Sequence, residues 1–220
     1  MRRTKLIHRP LPRYSLGEEI VNMVTHIAGG VMAIFVLVLC ILQADSAPGV
    51  VSSSIYGFSM LLVYSISSIY HGLRPGTGKK VMQVLDHCAI YFLIAGTYTP
   101  ILLCGFVPVY PLIGWGLLAA QWGLLSLAVT LTAIDLKKYN AFSMVCYIFM
   151  GWGIIFFVPQ AMEVLGSTGF GLTLAGGIIY TTGAILYGIG GKVKWMHSVF
   201  HIFVVAGSFL QFLAIYLFVL

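Results

Sequence analysis

The sequence predicts an all-α polytopic membrane protein, a bundle of seven transmembrane helices. Of the 220 residues, 60% are hydrophobic and only 8% are charged, and the mean hydropathy is +0.99, which is far from a soluble globular domain. Apolar runs close to the ~20 residues that cross a bilayer recur along the chain. The Lys and Arg residues lie between these runs. Basic residues in such positions set topology, so we expect no nucleic-acid partner.

The chain divides into a polar, basic N-terminal segment, residues 1–19, and a membrane domain, residues 20–220. Ser15 and the acidic residues after it predict the first helix start. Pro100 predicts a kink or an end of the third helix. No connection is long enough to form a further domain. The predicted membrane helices are residues 20–43, 50–71, 83–103, 111–133, 141–158, 168–190 and 196–219.

The basic residues also predict the orientation of the bundle. All twelve Lys and Arg residues lie before the first helix or on every second connection after it, in residues 72–82, 134–140 and 191–195. The other connections contain none. The positive-inside rule therefore predicts a cytoplasmic N-terminus and a C-terminus outside.

This topology places most of the histidines at one depth, in the cytoplasmic third of the membrane. Ionisable groups inside a membrane cost roughly 2.5–3.5 kcal/mol each, so a cluster of them is a functional-site hypothesis by default. His197 and His201 are four residues apart and share a helix face. The residues at this depth are His26, His71, Asp86, His87, His197 and His201.

Three of these histidines match the ligand set of a catalytic zinc site, in which three protein ligands leave one position open. They are His71, His197 and His201. Each has an alternative role. For His197 and His201, the alternative is a position at the membrane interface beside Lys194. For His71, it is an interfacial position at a helix end. Asp86 lies near the predicted start of the third helix, so helix capping is its alternative.

The remaining candidates are assigned to structure. His26 follows Asn22 by about one helical turn, which favours a packing or supporting role, with direct ligation of the metal as its alternative. His87 lies about 100° around the helix from Asp86, so the two are not expected to serve one site. The cysteines show no ligand spacing and are predicted to be buried thiols. These are Cys40, Cys88, Cys104 and Cys146.

Three segments carry a resemblance to a known family. They are Ser67-Ser68-Ile69-Tyr70-His71, the stretch 86–100 that begins Asp86-His87 and ends Thr99-Pro100, and His197-Ser198-Val199-Phe200-His201. Together they resemble the bacterial hemolysin III proteins of the progestin and adipoQ receptor family. That family includes the adiponectin receptors and is related to the alkaline ceramidases. The resemblance covers essentially the whole chain, and the ordered set of motifs is specific.

The resemblance implies a zinc ion, Zn2+, held by His71, His197 and His201. It also implies a water in the fourth position, hydrogen-bonded to Asp86, with Ser67 as a supporting or oxyanion-stabilising hydroxyl. Ser67 precedes His71 by four residues and so shares its helix face. The implied location is the plasma membrane of a bacterial cell.

Two function classes remain open at this point. In the adiponectin receptors and ceramidases the chemistry is hydrolysis of a lipid amide, which implies a zinc-dependent hydrolase involved in membrane-lipid homeostasis. The name hemolysin implies cytolysis. The second class is therefore a non-enzymatic membrane sensor or pore, in which zinc only holds helices together. Without a large N-terminal domain, hormone binding is not expected. Membrane lipids and zinc are the expected partners, and the sequence does not identify protein partners.

Overall fold

A computed structural model describes residues 4–190 and 193–220. Within these ranges the chain is helical and contains no β-strand, which confirms the predicted all-α class. A short 3-10 turn, Leu6–His8, precedes the first long helix. The helices are α1 (Leu16–Gln43), α2 (Ala47–Gly72), α3 (Thr77–Pro100), α4 (Pro111–Ile134), α5 (Asn140–Gly151), α6 (Val158–Gly190) and α7 (Met196–Phe218).

Helix α1 begins where the sequence predicts. The Ser15 hydroxyl accepts a hydrogen bond from the Glu18 backbone N–H, and the Glu18 carboxylate accepts one from the Ser15 N–H at 2.8 Å. This reciprocal capping box satisfies two backbone donors that the first turn leaves free. It also fixes the point at which the N-terminal segment turns into the bundle.

Helix α3 differs from its prediction at both ends. It begins at Thr77 rather than near residue 83, with Gly76 as its N-cap. Asp86 therefore lies well inside the helix, and the helix-cap alternative for this residue is wrong. At the other end Pro100 has no N–H to donate, and the chain continues from it as a π-helical stretch, Ile101–Phe106.

The described residues contain six helical stretches that are long and apolar enough to cross a membrane. One of them, Asn140–Gly190, has 51 residues, or about 75 Å at the usual helical rise, against a hydrocarbon core of about 30 Å. It is interrupted by a 3-10 segment, Gly153–Phe157, and by Gly166, whose φ of 66° and ψ of 170° are not helical. Gly166 lies between the predicted helices 141–158 and 168–190. The count of seven crossings stays a prediction.

The helices pack as a bundle in which α1 contacts α2 and α7, α2 contacts α3, and α6 packs along α7. A glycine permits one close approach. A Cβ atom at Gly29 of α1 would lie 2.7 Å from the ring of Tyr64 of α2. Large apolar side chains such as Phe58, Leu112 and Phe156 point outward and are mostly exposed, as expected of a surface in contact with lipid.

Residues 4–14, which we call the N-terminal strap, run across one end of the bundle. The Arg9 guanidinium is buried and donates a hydrogen bond from Nη2 to the Ile134 carbonyl at 3.1 Å. The Thr4 N–H donates to Asp135 Oδ2 at 2.7 Å. This bond is the main cause that lowers the pKa of Asp135 below its usual value. The strap is thus attached to the end of α4.

Candidate metal centre

The three predicted ligands come together inside the bundle. His71 lies in the last turn of α2, and His197 and His201 lie in the first two turns of α7. All three side chains are buried, and one ligand atom from each lies within 4.8 Å of the other two. The Nε2 atoms of His197 and His201 are 3.1 Å apart. The interfacial alternatives for these residues are wrong, because the side chains face the protein interior.

A carboxylate orients the first of these rings. Glu19 Oε2, from the first turn of α1, lies 2.6 Å from His71 Nδ1. When Nδ1 carries the proton and donates a hydrogen bond to Glu19, Nε2 keeps a free lone pair. That Nε2 atom is buried and has no hydrogen-bond partner in the described chain. A buried polar atom left unpaired costs about 1–3 kcal/mol, so this geometry favours a ligand at Nε2.

The carboxylate is held in turn by a buried cation. Lys79 Nζ of α3 donates to Glu19 Oε1 at 2.6 Å and to the Leu73 carbonyl at 3.0 Å. Lys79 is only 4% exposed. Because an unpaired charge at this depth would be costly, the pair stabilises both groups. The contacts join α1, α2 and α3 around His71.

The donor set fits zinc. Metal–nitrogen bonds of 2.0–2.1 Å in a tetrahedral site place two ligand nitrogens about 3.3 Å apart. The separation of 3.1 Å between His197 Nε2 and His201 Nε2 is close to this value, and the three ligand atoms as a group lie within the wider limit of 4.8 Å. The cluster contains no cysteine, which disfavours soft metals, and imidazole ligands disfavour metals that prefer oxygen. His71, His197 and His201 are therefore the residues that would hold the ion.

His26 lies beside this group without belonging to it. Its ring stacks on His201 with a centroid distance of 3.8 Å and meets the Tyr64 ring edge-on at 5.1 Å. It is not among the three residues whose ligand atoms converge. The contacts agree with the predicted packing role, and Gly29 provides the space for Tyr64 to approach.

Two of the three histidines, His197 and His201, line a cavity of about 170 Å³ between α3, α5, α6 and α7. Asp86, Ser67 and His87 line it together with His197 and His201. Asp86 and His87 thus border the same cavity, and that they do not serve one site stays a prediction. The remainder of the lining is mainly apolar and extends through the bundle as far as Gln211.

His87 is occupied by other partners within this cavity. Its Nε2 lies 3.1 Å from the Tyr187 hydroxyl, and its Nδ1 lies 2.8 Å from the Gln83 carbonyl. The nearest carboxylate oxygen of Asp86 is 3.9 Å from Nδ1. Both ring nitrogens of His87 thus have neighbours, whereas Asp86 has a side chain that faces the cavity.

Tyr14, the last residue of the strap, covers the cluster. Its ring stacks on His197 with a centroid distance of 4.8 Å and an interplanar angle of 15°, and it lies 5.8 Å from the His71 ring. Burial raises the pKa of the Tyr14 hydroxyl above its usual range, and the neighbouring Tyr187 and Asp86 add to the shift. The hydroxyl therefore remains protonated at neutral pH.

Sequence reasoning missed Tyr14, Glu19 and Lys79. Glu19 was assigned only to the helix start, although it precedes His26 by seven residues and so lies on the same helix face. A carboxylate in the first turn of an apolar helix, in register with a histidine, is the signal that identifies it. Tyr14 carries no comparable signal, because its contact depends on the path of the strap.

The fold and the site define a class of protein: a helical membrane protein with a buried cluster of three histidines, two of which line an apolar cavity. Comparison with known proteins gives the family. The family model described as "Haemolysin-III related" matches residues 14–212. The chain belongs to the hemolysin III family.

Individual relatives agree with this assignment. Hemolysin-3 of Bacillus cereus is 38% identical over 206 residues, covering 92% of each chain. The Hemolysin-3 homolog of Bacillus subtilis is 37% identical over 205 residues, covering 92% of this chain and 94% of the relative. The adiponectin receptor protein of Drosophila melanogaster is 26% identical over 165 residues, covering 64% of this chain and 35% of the receptor. The resemblance inferred from the motifs is confirmed.

Proposed function

We propose that this protein is a zinc-dependent hydrolase of the bacterial plasma membrane that cleaves a lipid amide or ester and so contributes to membrane-lipid homeostasis. The observation that carries the proposal is that three buried imidazoles converge and that two of them, His197 and His201, line an apolar cavity. A cluster of ligands alone fits a structural clamp. A cluster that opens onto a cavity has room for a substrate.

The chain's own residues have distinct roles in this proposal. His71, His197 and His201 would hold the zinc ion, which when bound supplies a Lewis acid that makes water a better nucleophile at neutral pH. Asp86 lines the cavity and accepts the proton of the attacking water as a general base. Ser67, which lines the same cavity, donates its hydroxyl hydrogen bond to the carbonyl oxygen of the substrate.

The substrate class follows from the cavity. Its walls between α3, α5, α6 and α7 are mainly apolar, and they also carry the Asp86 carboxylate and the imidazoles of His197 and His201. A molecule with a hydrocarbon chain and one polar carbonyl group matches this division. The test is an assay of the purified, zinc-loaded protein in bilayers against a panel of amide and ester lipids, with released fatty acid as the readout. Absence of release across the panel would remove the hydrolase proposal.

The Hemolysin-3 names of the relatives favour one alternative function, cytolysis by a non-enzymatic protein in which zinc is only structural. The same bilayers discriminate between the two. Leakage of an encapsulated dye without lipid cleavage supports the cytolytic alternative. Cleavage without leakage supports the hydrolase.

The proposed topology has seven crossings, a cytoplasmic N-terminus and an outside C-terminus. The segregation of all Lys and Arg residues to alternate connections supports it, and so does the non-helical break at Gly166, which divides the 51-residue stretch. A reporter active only outside the cytoplasm is expected to be active when fused after Leu220 and inactive when fused near Lys138. The opposite pattern would reverse the orientation of the whole bundle.

The contact between Glu19 and His71 leads to a prediction about metal affinity. Replacing a carboxylate that orients a ligating histidine typically weakens metal binding by about 10–100-fold. We expect Glu19→Ala to lower zinc affinity by this amount, measured by competition with a chelator of known affinity. Glu163→Ala is the matched control, because Glu163 accepts a hydrogen bond from Tyr110 elsewhere in the bundle. Equal affinity in the Glu19→Ala and wild-type proteins would exclude the orienting role.

A further inference from the structure

The N-terminal strap brings one aromatic ring to the histidine cluster from outside the helical bundle. Tyr14 lies before the start of α1 at Leu16, yet its ring is nearly parallel to that of His197 at a centroid distance of 4.8 Å. Tyr187 contacts the same imidazole at 5.6 Å. His197 is therefore held between a residue of the strap and a residue of α6.

The position of Tyr14 depends on contacts at both ends of the strap. At the far end, Arg9 donates a hydrogen bond to the Ile134 carbonyl, and the Thr4 N–H donates one to the Asp135 carboxylate. Next to Tyr14, the capping box of Ser15 fixes the turn into α1. A chain held at both ends loses little further conformational entropy when the ring between them stacks on its neighbour.

The connection between α6 and α7 contributes to the same arrangement. The backbone N–H of Trp195 donates to the Glu18 carboxylate at 2.7 Å. Trp195 adopts a left-handed conformation with φ of 67°, which is uncommon for a residue with a side chain. Its ring lies against Gly17, where an added Cβ would be 3.2 Å away. The beginning of α7, which carries His197, is thus tied to the beginning of α1.

We propose that the strap covers the side of the histidine site that Tyr14 contacts, and that Tyr14 acts there as a positioning residue for His197. The ring, not the hydroxyl, performs this role, because the contact is face-to-face stacking. The strap thereby limits access of water and of competing ligands to the cluster. The inference rests on the proposed metal centre only for its first test, since the second uses metal-free protein.

The first test measures release of zinc from the purified protein after addition of an excess of chelator. An aromatic pair contributes enough to change a rate by roughly 2- to 10-fold. We expect Tyr14→Ala to release zinc faster by about this factor, and Tyr14→Phe to release it at the wild-type rate. Unchanged release from Tyr14→Ala, or equally fast release from Tyr14→Phe, would overturn the proposal.

Two arginine variants of the strap give a matched comparison. Arg9→Ala removes the buried anchor to the Ile134 carbonyl and is expected to accelerate zinc release as Tyr14→Ala does. Arg13→Ala removes an exposed cation from the same segment and is expected to leave the rate unchanged. If Arg9→Ala releases zinc no faster than Arg13→Ala, closure by the strap is refuted. Arg9→Ala also provides the test if Tyr14→Ala does not fold.

The second test needs no metal. Diethyl pyrocarbonate acylates accessible imidazoles, and mass spectrometry of peptides gives the rate at each histidine. In metal-free protein, His197 should be labelled faster in Tyr14→Ala and Arg9→Ala than in the wild type, while the exposed His8 is labelled equally in all. Equal labelling of His197 in the three proteins would overturn the strap proposal. A wild-type protein without zinc would refute the metal centre alone.

Discussion

Each of the substitutions His71→Ala, His197→Ala and His201→Ala is expected to remove most of the zinc that purifies with the protein, about one ion per chain in the wild type. The three imidazoles converge within 4.8 Å, and loss of one leaves two protein ligands, too few for the usual zinc site. Metal content is measured by inductively coupled plasma mass spectrometry on protein purified in detergent.

Two other histidines serve as controls for this experiment. His26 stacks on His201 but is not part of the converging group, so His26→Ala should retain most of the zinc. Replacing His8, which is exposed in the strap, should leave all of the zinc bound. Zinc retained in all three ligand variants would refute the metal centre, and zinc lost in His26→Ala would make His26 a fourth ligand.

The sequence singled out the three histidines that converge because histidine is rare in apolar segments and the basic residues predict the depth of each helix end. His197 and His201 are found by their spacing alone, whereas His71 is found by its depth. Helix starts with side-chain caps were also predictable, as at Ser15. These features are local in the chain, and local features are what a single sequence records best.

Other features depend on contacts between distant segments. The start of α3 was missed because Thr77 and Gly78 resemble a loop, although the helix continues through them. Lys79 was assigned to topology from its charge, but it is buried against Glu19 of a different helix. Tyr14 reaches His197 only because the strap is attached near Asp135. No periodicity in the sequence reports such long-range contacts.

The substitution Asp86→Asn is expected to leave zinc bound and to reduce lipid cleavage by roughly 10²–10⁴-fold, the contribution of a general base. Asparagine keeps the shape of aspartate and its capacity to hydrogen-bond, but it does not accept a proton at neutral pH. Asp86 lines the cavity with His197 and His201 without being one of the converging ligands. Zinc content and fatty acid release are measured on the same preparation.

The two readouts of Asp86→Asn separate catalysis from a structural role of the metal. Loss of zinc together with activity would mean that Asp86 ligates the ion directly, which closes the site and favours the clamp. Unchanged cleavage would exclude Asp86 as the base. Asp45→Asn is the control, because Asp45 lies at the connection between α1 and α2 and outside the lining of the cavity. Only retained zinc with a steep loss of cleavage supports a hydrolase in which Asp86 takes the proton from water.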